Sequence, residues 1–397
     1  MLLKIMIAIG IGILAGVFTG LTPGIHINLV SVMMLSISPW LLLYTNPVVL
    51  CVFVVAMSVT HTFLDSLPSI FLGAPDADTA LGVLPGHRYL LRGNGMMAVK
   101  LTLVGSLSSL ILSAMMFPLL LPVVRCGYPL IVPYIGWMLL TTVVFMIFRD
   151  RNKAWAVLVF LLSGAFGLIV FRMETLKDPL FPMLSGLFGI STLIISLLES
   201  QSIPPQEESD EIQLKPWITM KALFSGQISG FITATMPGLG ASTAAVLSMQ
   251  ITRKLGDHGF MILMGAISTA NFVLSLVTFQ VLSKARNGSI IAVQKLIGEP
   301  SNILLFIVTA LVAGGTATVL ALFIGKGFAK LIGRVSYARL VSAVIVFIIS
   351  LTIILTGWLG LIVLIVGTAI GILPAKAKVT RTHAMGCLLL PVMIYFF

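Results

Sequence analysis

The chain has 397 residues, 58% of them hydrophobic and only 9% charged, with a mean hydropathy of +1.12. A soluble domain carries about 25% charged residues, so a soluble enzyme, a disordered chain and a secreted disulfide scaffold are all excluded. The formal net charge of +11 reads as Lys and Arg gathered in cytoplasmic loops of a multi-pass cell-membrane protein, not as a nucleic-acid surface.

Lys4 followed by an apolar stretch imitates a signal peptide, but the same pattern returns in mid-chain, where no signal peptide can stand. Residues 15–30 read AGVFTGLTPGIHINLV and residues 229–244 read SGFITATMPGLGASTA. Gly16 falls on Gly230, Thr19 on Thr233, Pro23 on Pro237 and Gly24 on Gly238. Farther on, AVLVFLLSGAFGLIVFR (156–172) resembles GLIVLIVGTAIGILPAK (360–376), and each is followed by one last apolar segment. Between the halves, residues 202–216 form the one long polar run, a solvated cytoplasmic linker. The chain therefore divides into a first repeat, 1–201, the linker, 202–216, and a second repeat, 217–397.

The first half holds seven apolar segments, near 5–21, 25–43, 47–72, 97–124, 129–148, 154–171 and 180–198. A full span needs about 20 apolar residues. The second-half copies of the first two, 222–235 and 239–252, are shorter and bent at Pro237-Gly238, and so look more like a re-entrant hairpin than two spans. Counted as zero or two spans, the pair leaves an odd number of crossings per half, so the second half enters the membrane upside down. The charges agree: RDRNK at 149–153 is basic whereas its equivalent near Thr356-Gly357-Trp358 is not, and Lys326, Lys330, Arg334, Arg339, Lys376, Lys378 and Arg381 crowd second-half loops. The expected fold is an all-α polytopic integral membrane protein of two inverted-topology repeats. It has about 10–14 membrane segments, with the Pro-Gly segments either spans or re-entrant hairpins.

Broken helices are tolerated at membrane depth only where they face protein or a water-filled cavity. The two Pro-Gly breaks, flanked by small polar residues, fit a substrate cradle whose half-helix N-termini suit an anion. Around the first lie Thr19, His26 and Asn28 beside Pro23 and Gly24; around the second lie Thr233, Gly240, Ser242 and Thr243 beside Pro237 and Gly238. The bland reading, a tight turn with packing glycines, is weakened by both copies being present. His61 and Asp65, four residues apart, share one helix face. They are candidate ion-coupling groups, since an intramembrane ionisable residue is by default functional. Asn271 takes the place of His61 in the second half. Asp76 and Asp78 read as loop residues, and Arg88, Arg92 and Lys100 as plain charges of a cytoplasmic loop.

Metalloprotease, nucleophile-elbow and phosphate-loop signatures are absent from the sequence, so no enzyme and no cofactor is expected beyond sodium or a proton as coupling ion. His87 and His258 read as loop residues, and His383 lies near a basic loop. The three cysteines, Cys51, Cys126 and Cys387, read as small core residues.

At the two Pro-Gly stretches the sequence resembles the large membrane subunit of tripartite tricarboxylate transporters, the TctA family, in a shorter archaeal form. Gly16, Gly20, Pro23 and Gly24 match its N-terminal motif, Gly230, Pro237, Gly238 and Gly240 its mid-chain copy, and residues 67–95, with Pro68, Pro75, Gly86 and Gly93, a diverged loop motif. The resemblance implies a secondary transporter that imports small carboxylates on an ion gradient, with a small membrane subunit and an extracytoplasmic binding protein as partners. The residues alone lead to a small organic anion moved by alternating access, in a monomer or a homo-oligomer. The rival with the same fold is a translocase (flippase) for a polyprenyl-phosphate lipid carrier, because helix N-termini suit a phosphate equally; an intramembrane enzyme ranks third.

Overall fold

The computed structural model describes residues 1–22, 34–35, 37–73, 83–176, 179–198, 204–206, 212, 214–235, 244–245, 248, 255–283, 285, 287–332 and 337–397. Regular structure among them is helical throughout, which satisfies backbone polar groups within each segment as hydrocarbon requires. The first half holds α1 (Leu2–Leu21), α2 (Pro47–Leu64), α3 (Ser66–Phe71), α4 (Val83–Leu91), α5 (Gly95–Ile131), α6 (Ile135–Arg149), α7 (Lys153–Phe171), α8 (Leu180–Leu184) and α9 (Ser191–Leu198). The second holds α10 (Pro216–Thr235), α11 (Gly256–Leu282), α12 (Gly288–Ile297), α13 (Ile303–Ile332), α14 (Tyr337–Ala377) and α15 (Gly386–Phe396). A π-helical turn, Ser185–Ile190, joins α8 to α9, and a 3-10 turn, Arg381–Met385, leads into α15.

Among the described residues, seven helical stretches are long and apolar enough to cross a membrane. Two of them are composite: Gly95–Arg149 holds α5 and α6, and Val341–Ala377 bends at Gly357. The loop expected near Thr356-Gly357-Trp358 is thus one residue with φ 67°, a conformation cheap only for glycine. The protein is an all-α, multi-pass membrane protein. One expected boundary needs correction. The segment placed at 222–235 begins at Pro216, because a helix tolerates proline in its first turn and the polar residues there hid the start. At 20 residues each, α1 and α10 are both about 30 Å long, the thickness of a bilayer core.

The apolar core falls into two parts. One gathers α1–α5 with α10–α13, around the fully buried Phe63, Phe71, Phe272, Phe279 and Phe306. The other gathers α6–α9 with α14 and α15. In the first core α1 packs on α2 and α10 on α11 within their own halves, while contacts between the halves join these pairs and dominate the second core. The first half's α5 lies along α11, and the second half's α13 lies along α2. Likewise α7 packs on α15, and α14 on α8, α9 and the turn between them.

Glycines set these contacts. A Cβ on Gly167 would collide with the Cys387 carbonyl oxygen, and one on Gly371 with that of Leu187. A Cβ on Gly186 would come within 2.6 Å of the Leu364 carbonyl oxygen, and one on Gly386 would collide with that of Phe160. Gly167 and Phe160 are the residues that the sequence alignment sets against Gly371 and Leu364, so the contacts are reciprocal. Backbones touch directly here, the close approach that small residues permit between membrane helices.

Polar loops meet at one end of the bundle. Arg88 and Arg92 pair with Asp257. Gln206 of the linker accepts from Gly95 N at 3.0 Å and donates to Leu90 O at 3.0 Å, so the linker is docked at this point. Leu72 and Leu91 pack with Leu193 of α9, and Arg381 donates to its neighbour Thr192. Asp150 closes the set. Its Oδ2 accepts from Thr380 N at 2.9 Å, Thr380 Oγ1 at 2.9 Å and His383 Nε2 at 3.0 Å. At the opposite end Lys4 donates to Tyr44 O at 3.1 Å, and Trp137 meets Phe397 edge to face.

Burial pushes the Asp150 carboxyl up, but hydrogen bonds from Thr380, His383 and Asn152 outweigh it and hold the group at about 2. Burial lowers His383 in spite of Asp150 beside it. Both shifts disfavour protonation of the folded form, so both contributions are complete only above about pH 6.5 and fade on acidification, that of His383 first. Asp150→Asn is expected to lower Tm at pH 7 in detergent and to flatten the fall in Tm between about pH 5 and pH 3; a wild-type melting curve at every pH would show the clamp to be inert. Replacing Gly167 with Leu is expected to cost about 1–3 kcal/mol by overpacking, seen as a lower Tm, whereas Gly315, whose Cβ would meet nothing within 4 Å, should accept Ala without loss.

Candidate substrate and coupling site

The first half-site is built where α1 lies parallel to α2. Gly12 approaches Phe53 O at 2.7 Å, Gly16 approaches Met57 O at 2.5 Å, and Gly20 approaches His61 O at 3.0 Å, as measured to an added Cβ. This glycine stripe draws Thr19 (4% exposed) against His61 (3% exposed). Thr19 Oγ1 lies 3.1 Å from His61 Nδ1 and donates to Gly16 O at 3.3 Å. Asp65 follows at the junction of α2 and α3, its N–H donating to His61 O at 2.9 Å. The junction has a cause: Pro68 has no N–H to give to the Leu64 carbonyl, so the helix is interrupted. The interruption leaves buried Asp65 and Ser66 in the bundle, where Thr102 Oγ1 reaches Ser66 Oγ at 3.4 Å. The break after Leu21 comes beside Leu64, short of the end of α3.

The second half-site repeats this arrangement. Gly226 packs on Ala266, and Gly230 on Ala270 and on Asn271 N at 3.0 Å. Thr233 is buried and donates to Gly230 O at 2.9 Å, as Thr19 does to Gly16. Asn271 therefore stands opposite the glycine stripe of α10 as His61 stands opposite that of α1. Unlike α2, α11 runs on unbroken to Leu282. Pro23, Gly24, His26 and Asn28, and Pro237, Gly238, Gly240 and Ser242, lie outside the described residues, as do Thr243, Asp76 and Asp78.

A buried polar stripe beside the second half-site went unread in the sequence. Ser109 Oγ reaches Gln227 Oε1 at 2.9 Å and Ala266 O at 3.0 Å, and Gln227 Nε2 donates to Ser113 Oγ at 2.7 Å. Ser106 Oγ donates to Gly265 O at 3.2 Å. Serines three and four residues apart on an apolar helix were the available signal. Four placements also need correction, one of them His258, which stands in the first turn of α11 and not in a loop. Lys100 is buried in α5 and not a loop charge. His87 is buried in α4, where burial lowers it to about 4. Cys126 is exposed, unlike Cys51 and Cys387. His383 does lie beside the basic loop, with its ring on Asp150. Among the described residues no group of three His, Cys, Asp or Glu gathers that fits a metal ion.

The sequence model of the tripartite tricarboxylate transporter TctA family matches residues 6–386. The chain belongs to that family. The likeness first carried by Gly16, Gly20, Pro23 and Gly24 and by Gly230, Pro237, Gly238 and Gly240 thus extends to nearly the whole length. This TctA-family protein is a multi-pass component of the tricarboxylate-transporter kind, and a tripartite system entails partner subunits. An uncharacterized protein of Methanocaldococcus jannaschii is 28% identical to it over 397 residues, 97% of each chain. No solved structure matches.

Proposed function

We propose that this protein is a secondary transporter that moves a small organic anion, a di- or tricarboxylate, across the cell membrane by alternating access on a cation gradient. It acts by binding and rearrangement, without catalysing a reaction. The observation that carries the reading is reciprocity. Gly16, Thr19 and His61 recur as Gly230, Thr233 and Asn271, and the contact of Gly167 with Cys387 recurs as that of Gly371 with Leu187. Such pairs support two inverted repeats, 1–201 and 217–397, about an axis in the membrane plane, an architecture with two nearly equivalent states. The basic loops gathered beside the docked linker support a cytoplasmic face there.

In this reading the Pro23-Gly24 and Pro237-Gly238 breaks form the backbone cradle. Thr19, Asn28, Thr233, Gly240, Ser242 and Asn271 supply polar contacts, and His26, His61 and Asp65 supply charge. A small membrane subunit and an extracytoplasmic binding protein are the expected partners.

The test is a thermal-stability screen in detergent against citrate, succinate, tartrate and a polyprenyl phosphate, with and without sodium. A ligand at about 100 times its Kd stabilises by about 2.7 kcal/mol. A rise in Tm with a carboxylate is expected; a rise with the lipid phosphate alone would replace the transporter with a lipid translocase. Asp65→Asn is expected to abolish gradient-driven uptake into proteoliposomes, and unchanged uptake would remove Asp65 from the mechanism.

A further inference from the structure

The turn that leads into α15 carries an arginine whose charge no acid answers. Asp150 stands beside this turn, but its carboxylate is engaged by the residues on either side of Arg381. Its Oδ2 accepts from Thr380 N and Thr380 Oγ1 at 2.9 Å and from His383 Nε2 at 3.0 Å, and its Oδ1 accepts from Asn152 N at 3.3 Å. Ser163 Oγ also donates to His383 O at 3.2 Å. The backbone at Arg381 is thus pinned on both flanks, while the guanidinium meets no carboxylate among the described residues. Its hydrogen-bond partner is Thr192. The Thr192 hydroxyl gives its proton to Phe188 O, so its oxygen accepts from Arg381 and orients the guanidinium without neutralising it. The rest of a planar fork that matches two carboxylate oxygens is left over.

A guanidinium is always charged, and charge drawn out of water without a counter-ion is costly. Arg381 is half-buried and reaches a threonine that is only 4% exposed. In the same turn the buried Thr382 Oγ1 has no hydrogen-bond partner among the described residues. Thr192 precedes Leu193, which is fully buried and packs with Leu72 and Leu91 and against Gly73 of the first half. Arg381 therefore reaches inward to the seam where the two apolar cores meet. The stretches that Asp150 joins also carry Arg149, Arg151, Lys153, Lys376 and Lys378, a field that draws anions to this end of the bundle.

We infer that Arg381 is an oxyanion site, positioned by Thr192 and by the Asp150 clamp, and that its ligand is a carboxylate group of a small free acid on the basic side of the membrane. This deepens the carboxylate reading above and rests on it. The site is built from α9 and the turn before α15, elements that neither half-site uses, so it holds the anion at a second place, where the acid enters or leaves. The phosphate of a lipid headgroup has similar chemistry; the inward reach of the side chain to a buried hydroxyl favours the free acid.

The experiment treats the full chain in detergent with phenylglyoxal and follows each arginine by peptide mass spectrometry. Citrate, succinate or tartrate, against chloride at equal ionic strength, is expected to slow modification of Arg381 about tenfold at about ten times its Kd. Arg151, exposed in the same basic field, and the exposed Arg125 of α5 are expected to react as before. Equal slowing of Arg381 and Arg151, or slowing of neither, overturns the site and leaves an ordinary surface charge. Slowing by phosphatidylglycerol but by none of the acids overturns the free acid and assigns the site to a lipid headgroup. In Thr192→Val the protection of Arg381 is expected to weaken about threefold; full protection there overturns the part given to Thr192. An acid that raises the Tm of the wild type yet leaves Arg381 unprotected overturns this site alone, whereas acids that do neither overturn the carboxylate reading as well.

Discussion

Helix backbones in this protein touch one another directly, and most of the architecture depends on that contact. Between two helices in lipid there is little hydrophobic driving force, because lipid tails are as apolar as leucine. What remains is dispersion at close range and the sealing of polar groups, and both require small side chains. Gly12, Gly16 and Gly20 on α1 provide them, as do Gly226 and Gly230 on α10, and Gly167, Gly186, Gly371 and Gly386 in the second core. Large apolar residues such as Phe18, Trp155, Phe323 and Trp358 instead face outward, about 40–80% exposed, where acyl chains meet them.

The same close approach makes the polar interior affordable. Thr19, His61, Asp65, Ser109 and Gln227 are buried, and an unsatisfied buried polar group costs about 1–3 kcal/mol. Close helix approach sets Thr19 on His61, and Ser109 on Gln227 and the Ala266 carbonyl. The two candidate half-sites nevertheless differ. The first keeps the ionisable pair and a proline-interrupted helix; the second keeps an amide, an unbroken helix and the Gln227 network with Ser109 and Ser113.

Much of this was legible in the chain itself. Composition decided the class, and the Pro-Gly motifs carried the family likeness. Local patterns could not show which loop meets which. Asp150 and His383 are far apart in sequence, and nothing near either suggests a partner. Gln206 looked like one more solvated linker residue. Lys100 and His87 looked exposed because charge and ring nitrogen usually are, and only tertiary packing overrode that. The serine stripe of α5 was different: its spacing was visible, and apolar neighbours drowned it.

The interlocked packing of the two halves also governs how the protein comes into being. While the first half alone has been synthesised, Gly105 has no Ile262 backbone to meet and Gly167 no Cys387. Asp150 lacks both Thr380 and His383. The surface at Gly105 is covered only when α11 has been inserted, and that at Gly167 only when α15 has been. A chain truncated before α15 would leave the grooves at Gly164 and Gly167 unfilled.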